Sequence, residues 1–388
     1  MGGDAWARTR ILLAVVIPVV LLAVAPALAQ EAIKIGFFAP ITGPAAADGA
    51  SAQHAVELAA KEVNAAGGIR GKKVELVVYD DRLNPQEAVA VATKLIEKDQ
   101  VVGVVSGSYS GPTRVAAPIF AKAGIPMVAG YAVHPDVTKA GESNFRNGYL
   151  GTVEGAAAAE LAVKTLKAKR IAVLSMDNDY GRELGNGFRA RAEKLGATLV
   201  SYQAYKFPGE REFRPFLTRV KEANPDLLFA CGYYNEGALI TRQAQELGLK
   251  IPIVGTEGMD SPKFLELAGP AAEGVMITTN LDRDDSRPLV QNFLKNYRQA
   301  YGIDADMVGA SSFDAFKILA AAIEKAGTDR MAITKALMET KDYNGLTGKI
   351  SRFIKGEAIK PVQIQVVKEG KFRRHSVIDN PEVITPVQ

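Results

Sequence analysis

Val101-Val102-Gly103-Val104-Val105-Ser106-Gly107-Ser108-Tyr109-Ser110-Gly111-Pro112 is the stretch on which the rest of the chain is organised. Its first five residues are apolar or small and uncharged, the pattern of a strand buried on both faces of a parallel sheet. Ser106 to Gly111 then leave the sheet as a small polar loop. Pro112 suits a first helical turn, where its missing N–H costs nothing. Thr113 to Ala123 read as a helix that stops at Gly124. In an open α/β sheet, ligands bind beyond the carboxyl end of a strand, at a helix N-terminus. Free N–H groups and the positive end of the helix dipole favour an anion there, such as a carboxylate. The hydroxyls of Ser108 and Ser110 add donors. A tight connection using Ser and Gly only for turn geometry fits the same residues, and both readings stand at this point.

Working outward, the same alternation recurs. Upstream lie a strand at Ile33–Ala39, a loop over Pro40–Gly49, a helix from about Ala50 to Ala66 and a strand at Lys73–Tyr79. Asp80-Asp81 follow, then a helix opened by Pro85 that runs to about Lys98. Downstream, Pro126–Ala129 reads as a fourth strand. The order β-α-β-α-β-α-β implies a mostly parallel sheet with right-handed crossovers. The pattern then begins again. Glu154–Leu166 is helical, Arg170–Met176 a strand, and a helix follows the loop Asp177–Gly181. Leu199–Tyr205 and Asp226–Gly232 are strands separated by the helix Glu212–Ala223. After the next helix, which ends at Gly248, Pro252–Gly255 and Val275–Thr279 close a second sheet. Three helices (Leu289–Tyr301, Val308–Ala326, Met331–Glu339) and an extended segment, Val362–Arg373, complete the chain. The class is α/β, with two doubly wound lobes and a cleft between them, since no Gly/Ser-rich linker separates the lobes.

Composition narrows the function. The chain has 388 residues, 47% hydrophobic and 23% charged, enough for two lobes with real cores. A formal charge of +4 without a Lys/Arg run does not indicate nucleic acid. The single cysteine, Cys231, makes no internal disulfide and follows an apolar run, so it reads as a buried thiol. Residues 1–29 carry Arg8 and Arg10, a 14-residue apolar run from Ile11 to Val24, and Ala27-Leu28-Ala29. This is the pattern of a cleaved export signal, with the mature chain starting at Gln30 in the periplasm. The run is short for a bilayer span.

The run Gly67-Gly68-Ile69-Arg70-Gly71-Lys72-Lys73-Val74-Glu75-Leu76 with Tyr79-Asp80-Asp81 resembles the periplasmic leucine/isoleucine/valine-binding proteins of ABC transporters. Tyr109-Ser110-Gly111, Asp179-Tyr180-Gly181 and Gly255-Thr256-Glu257-Gly258 match that family in the same order. The resemblance runs from about Glu31 to the C-terminus. It implies a type I periplasmic binding-protein fold, two lobes joined by three crossovers that close on a ligand by a hinge. Lobe 1 is then expected over 30–148 and 284–342, and lobe 2 over 149–283 and 343–388. The resemblance further implies a non-enzymatic receptor for a branched-chain or other small amino acid, working as a monomer with a membrane permease and without a cofactor or metal. It makes Ser110, between Tyr109 and Gly111, the carboxylate-binding serine and Glu257 the partner of the ligand ammonium. Tyr180 and Tyr233 become the aromatic residues that close from the second lobe, and Tyr131 the donor of a backbone carbonyl.

Three positions depart from the family pattern. Val133 stands where a hydroxyl contacts the amino-acid head group, Asp48 where some members have an aromatic residue, and Leu83 where some have a cysteine. Val133 deprives an α-amino acid of one polar partner. A carboxylate with another tail, such as an aromatic acid, is the alternative ligand. Read without the resemblance, Glu257 suits a surface loop, Tyr180 and Tyr233 suit plain aromatics, and Tyr234 is the substitute wall residue if Tyr233 points away. Phe313 suits the core. Asp80 and Asp81, adjacent in an extended segment, do not face each other, and suit a helix cap or loop bonds rather than acid–base work. Gly107-Ser108-Tyr109-Ser110-Gly111 puts Tyr in the nucleophile slot of a G-x-S-x-G elbow. His54, His134 and His375 form no HExxH pair. A hydrolase using Ser108 or Ser110 therefore lacks a base, and a sensory receptor on the same fold is the other rival.

Overall fold

The computed structural model describes Met1 and residues 31–386; the export signal expected at 1–29 lies outside the described residues. The chain first runs β1 (Ile33–Ala39), α1 (Ala46–Ala65), β2 (Val74–Asp80), α2 (Pro85–Glu97), β3 (Gly103–Ser106), α3 (Ser110–Lys122), β4 (Met127–Ala129), α4 (Asp136–Lys139) and β5 (Asn144–Arg146). It then runs α5 (Gly151–Glu160), β6 (Arg170–Met176), α6 (Asp179–Lys194), β7 (Thr198–Tyr205), α7 (Arg214–Glu222), β8 (Leu227–Cys231), α8 (Tyr234–Glu246), β9 (Ile253–Gly255), α9 (Pro262–Ala268) and β10 (Met276–Thr279). The last part holds α10 (Pro288–Tyr301), α11 (Met307–Ala326), α12 (Arg330–Met338), β11 (Lys341–Gly345), β12 (Gly348–Ile354), β13 (Glu357–Ile359), β14 (Val362–Lys368) and β15 (Lys371–Ile378).

Two sheets result, ordered β11-β12-β13-β5-β4-β3-β1-β2 and β15-β14-β10-β9-β8-β6-β7. Within each, the five consecutive strands β1–β5 and β6–β10 pair in parallel. Chain direction across each sheet reverses at one point, beside β1 and β3 in the first sheet and beside β6 and β8 in the second. Those two switch points open the crevices where an α/β sheet binds ligands. The apolar runs become strands buried on both faces, as in β3 and β8, whose residues are all buried. Helix starts follow local chemistry. Asn84 caps α2 ahead of Pro85, Asn178 caps α6 through Gly181 N–H, and Asp306 caps α11 through Gly309 N–H. Asp80 and Asp81 bond the loops instead, accepting from Thr42, Arg82 and Leu83 backbone N–H groups.

The lobe boundary expected at 342/343 is corrected. β11, β12 and β13 extend the edge of the first sheet, with Glu357 of β13 beside Arg146 of β5. The physical reason is a buried charge. Arg146 is fully buried, and its Nε donates to Glu357 Oε2 at 2.8 Å, so β13 must sit here to supply the counter-charge. The chain accordingly crosses between sheets at 147–150, 280–287 and 360–361. These crossings are tied together: Tyr149 Oη donates to Pro361 O at 2.7 Å, and Lys360 Nζ donates to Thr347 Oγ1 at 2.8 Å while lying 5.2 Å from the Tyr149 ring centre. In the second lobe α5 packs backbone to backbone on α6. A Cβ at Gly155 would meet Leu184 O at 2.1 Å, which explains the run of Gly and Ala in α5.

Candidate functional site

The first-lobe wall is built at the carboxyl ends of β1, β3 and β4. α3 starts at Ser110, earlier than Pro112 suggested, so Ser110 sits in its first turn. Ser110 Oγ accepts from Val133 N–H at 3.1 Å, which leaves the hydroxyl proton free to donate. Val133 therefore contributes its backbone, and its buried side chain does not line the cavity; Gly111 does not line it either. Tyr131 Oη donates to Gly107 O at 2.7 Å, and its ring meets Tyr109 edge-on with centres 5.8 Å apart. Tyr109 Oη in turn donates to Asp48 Oδ2, in the first turn of α1. Phe313 is core, packed edge-on against Phe293.

The second-lobe wall comes from the ends of β6, β8 and β9. Tyr180, in the first turn of α6, places its hydroxyl 2.8 Å from Thr256 Oγ1 and 3.1 Å from Glu257 Oε2, and it accepts from Gly258 N–H at 3.2 Å. Glycine is required at 258, because a Cβ there would come within 2.8 Å of Gly232 O and of the Tyr180 hydroxyl. Tyr233 precedes α8 and packs against Tyr180 at 4.8 Å between ring centres. It also stacks on Tyr109 of the first lobe, with centres 4.2 Å apart and planes 18° off parallel. Glu257 is 4% exposed, and its N–H donates to Glu154 Oε1 at 3.0 Å. Burial first, and the neighbouring Glu154 carboxylate second, hold the Glu257 carboxyl well above the ordinary range.

Between the walls lies an enclosed cavity lined by Asp48, Tyr109, Ser110, Tyr131, Tyr180, Tyr233, Glu257, Gly258, Met307 and Val308. Its free volume, about 10 Å³, is room for about one water, because the Tyr109 and Tyr233 rings meet across it. A ligand larger than a water can enter only when this stack opens. Both tyrosines also line an outer cleft of about 520 Å³, together with Tyr234, Glu236, Arg211 and Arg242. Of the sequence-derived candidates, Tyr109, Ser110, Tyr131, Tyr180, Tyr233 and Glu257 are thus brought to one cavity. Asp48, Gly258, Met307 and Val308 were not foreseen as lining, nor was Glu154 as the neighbour of Glu257. Asp48 stood out only as a departure from an aromatic position, and Glu154 carries no local signal. Among the described residues, no group of three or more His, Cys, Asp or Glu is placed to hold a metal.

Arranged this way, the cavity offers a hydroxyl donor at a helix N-terminus on one lobe, a carboxylate on the other and aromatic faces between them. Donors thus face the cavity from the first lobe and a carboxyl group faces it from the second, and comparison with known proteins places the chain in a family. The periplasmic binding protein family model matches residues 32–371. A Leu/Ile/Val-binding protein of Rhizobium johnstonii is 33% identical over 85% of this chain and 89% of its own length. A leucine-binding protein of Thermotoga maritima superposes with a TM-score of 0.84 at 32% identity, covering 90% of this chain and 99% of that one. The branched-chain amino acid transporter substrate-binding protein of Streptococcus pneumoniae, solved with isoleucine, gives 0.83 at 28% identity over 90% and 99%. Two doubly wound lobes, three crossings and a cavity at both switch points go with these matches: the chain belongs to the periplasmic binding protein family.

Proposed function

We propose that this protein is the solute-binding component of an ABC importer, which captures a small amino acid between its lobes and delivers it to a membrane permease. The observation that carries the reading is the opposition of Ser110 and Glu257 across one closed cavity. Ser110 and the free N–H groups of the first α3 turn take the ligand carboxylate. Glu257 takes the ammonium, with the Tyr131 carbonyl in support, and Tyr180 and Tyr233 cover the ligand from the second lobe. Only the closed form touches ligand from both sides, so ligand shifts the population toward closure. A binding rather than catalytic role fits the chemistry: the Ser110 hydroxyl is held by an N–H group, and burial raises the Cys231 thiol far above a reactive range. The leader at residues 1–29 suits export, and N-terminal sequencing of the exported protein should start at Gln30.

A thermal-shift screen with leucine, isoleucine, valine and benzoate tests the reading. A ligand at 100 times its Kd adds about 2.7 kcal/mol of stability. Stabilisation by benzoate alone would replace the amino acid with an aromatic acid.

A further inference from the structure

Asp48 lines the cavity at 2% exposure, and its Oδ1 has no hydrogen-bond partner among the described residues. Its other oxygen is held by the Tyr109 hydroxyl. Buried carboxylate oxygens are nearly always paired, so an orphan on a residue that lines a ligand cavity needs an explanation. A second buried acid, Glu236, lines the adjoining outer cleft at 8% exposure, and its Oε2 is likewise unpartnered. Asp306, capping α11 directly beside the lining residues Met307 and Val308, accepts from Ser51 Oγ at 2.5 Å and adds negative potential from behind. The cavity therefore has two acidic ends. Glu257 answers the head-group ammonium. Asp48 lies on the first lobe, on the Tyr109 side, where a purely aliphatic tail would bury the orphan carboxyl without compensation. Burial, then Asp306, push the Asp48 carboxyl well above its usual range, as befits an acid with no counter-charge.

Resting on the receptor reading above, we propose that the preferred ligand is an amino acid whose side chain ends in a cationic, N–H-donating group, which binds Asp48 Oδ1. Asp48 acts as a specificity-determining residue: it accepts a charge-assisted hydrogen bond from the right tail and leaves a buried acid uncompensated against the wrong one.

Calorimetry with L-lysine and L-norleucine tests this, because the two differ only by the terminal ammonium. The native chain should bind lysine about 10- to 100-fold more tightly, the worth of one hydrogen bond to a charged group. Asp48→Asn, which keeps the shape, should abolish most of that ratio. The native ratio alone decides the matter if the variant fails to fold. Norleucine bound as tightly as lysine by the native chain, with Ser110→Ala still weakening it, overturns the tail assignment and leaves the receptor reading intact. Failure of lysine, norleucine, leucine, isoleucine and valine alike overturns both.

Discussion

Glu257→Gln tests the head-group assignment with two opposed signatures. In the free protein, the Glu257 carboxyl is 4% exposed and its backbone N–H sits 3.0 Å from Glu154 Oε1. Burial and that neighbour raise its folded-state pKa above the unfolded value. A raised carboxyl binds its proton more tightly when folded, so its contribution to stability is full at low pH and is lost as pH rises through the folded value. Glutamine stays neutral, so the ligand-free variant should melt above the native protein, with a gap that widens from pH 5 to pH 8. Affinity should move the other way. Removing one partner of a buried charge pair costs about 2–5 kcal/mol, or roughly 30- to several-thousand-fold in Kd. The lower part of that range is expected, because the buried Glu154 Oε2 is also unpartnered and remains close by. An ammonium favours the ionised form of Glu257, so binding displaces whatever proton the raised carboxyl holds; the native binding heat should then depend on buffer ionisation enthalpy and the variant's should not. Calorimetry in phosphate and in Tris, with melting curves at three pH values, reads all of this. An amino acid that binds the variant within threefold of native would refute the role given to Glu257. A variant that melts lower at pH 8 would refute the claim that its charge is costly in the free protein.

Three further outcomes are expected. Ser110→Ala removes a charge-assisted hydrogen bond to the ligand carboxylate, worth about 1.5–3 kcal/mol or roughly 10- to 100-fold in Kd by calorimetry; it also strips Val133 N–H of its acceptor, so the free protein should melt slightly lower. Burial lowers the Lys360 ammonium to about 7, against the opposing pull of Asp314. Its neutral form is favoured in the fold, so stability is gained as pH rises above about 7 and lost as pH falls through it. Relative to Lys360→Met, the native chain should gain about 2 kcal/mol between pH 7 and pH 9 in urea melts. Gly155→Ala drives a methyl into the Leu184 carbonyl, and should cost about 1–3 kcal/mol with a lower Tm and an intact ligand preference.

Much of the fold could be read locally. Short apolar runs bounded by Gly or Pro read as buried parallel strands, which gave β1–β4 and β6–β10 and the loops at their ends. Ser110 follows such a strand at a helix start, so a ligand crevice beside it was legible locally. Tyr180, Tyr233 and Glu257 also follow strands, but only the family resemblance separated them from plain aromatics and a surface-loop acid. Three features depended on residues far apart in the chain. The strands at 341–359 are short and half polar, with no apolar run to announce them. They join the first sheet because Glu357 neutralises Arg146, 211 positions earlier. Glu154 reaches Glu257 across 103 positions only when α5 packs beside β10. Asp48 gained meaning only when Tyr109, 61 positions on, took one of its oxygens and left the other buried without a partner beside the cavity. Periodicity and turn chemistry are properties of neighbours along the chain, and a single sequence carries them openly. Which buried charge answers which is a property of neighbours in space, and only the packed lobes decide it.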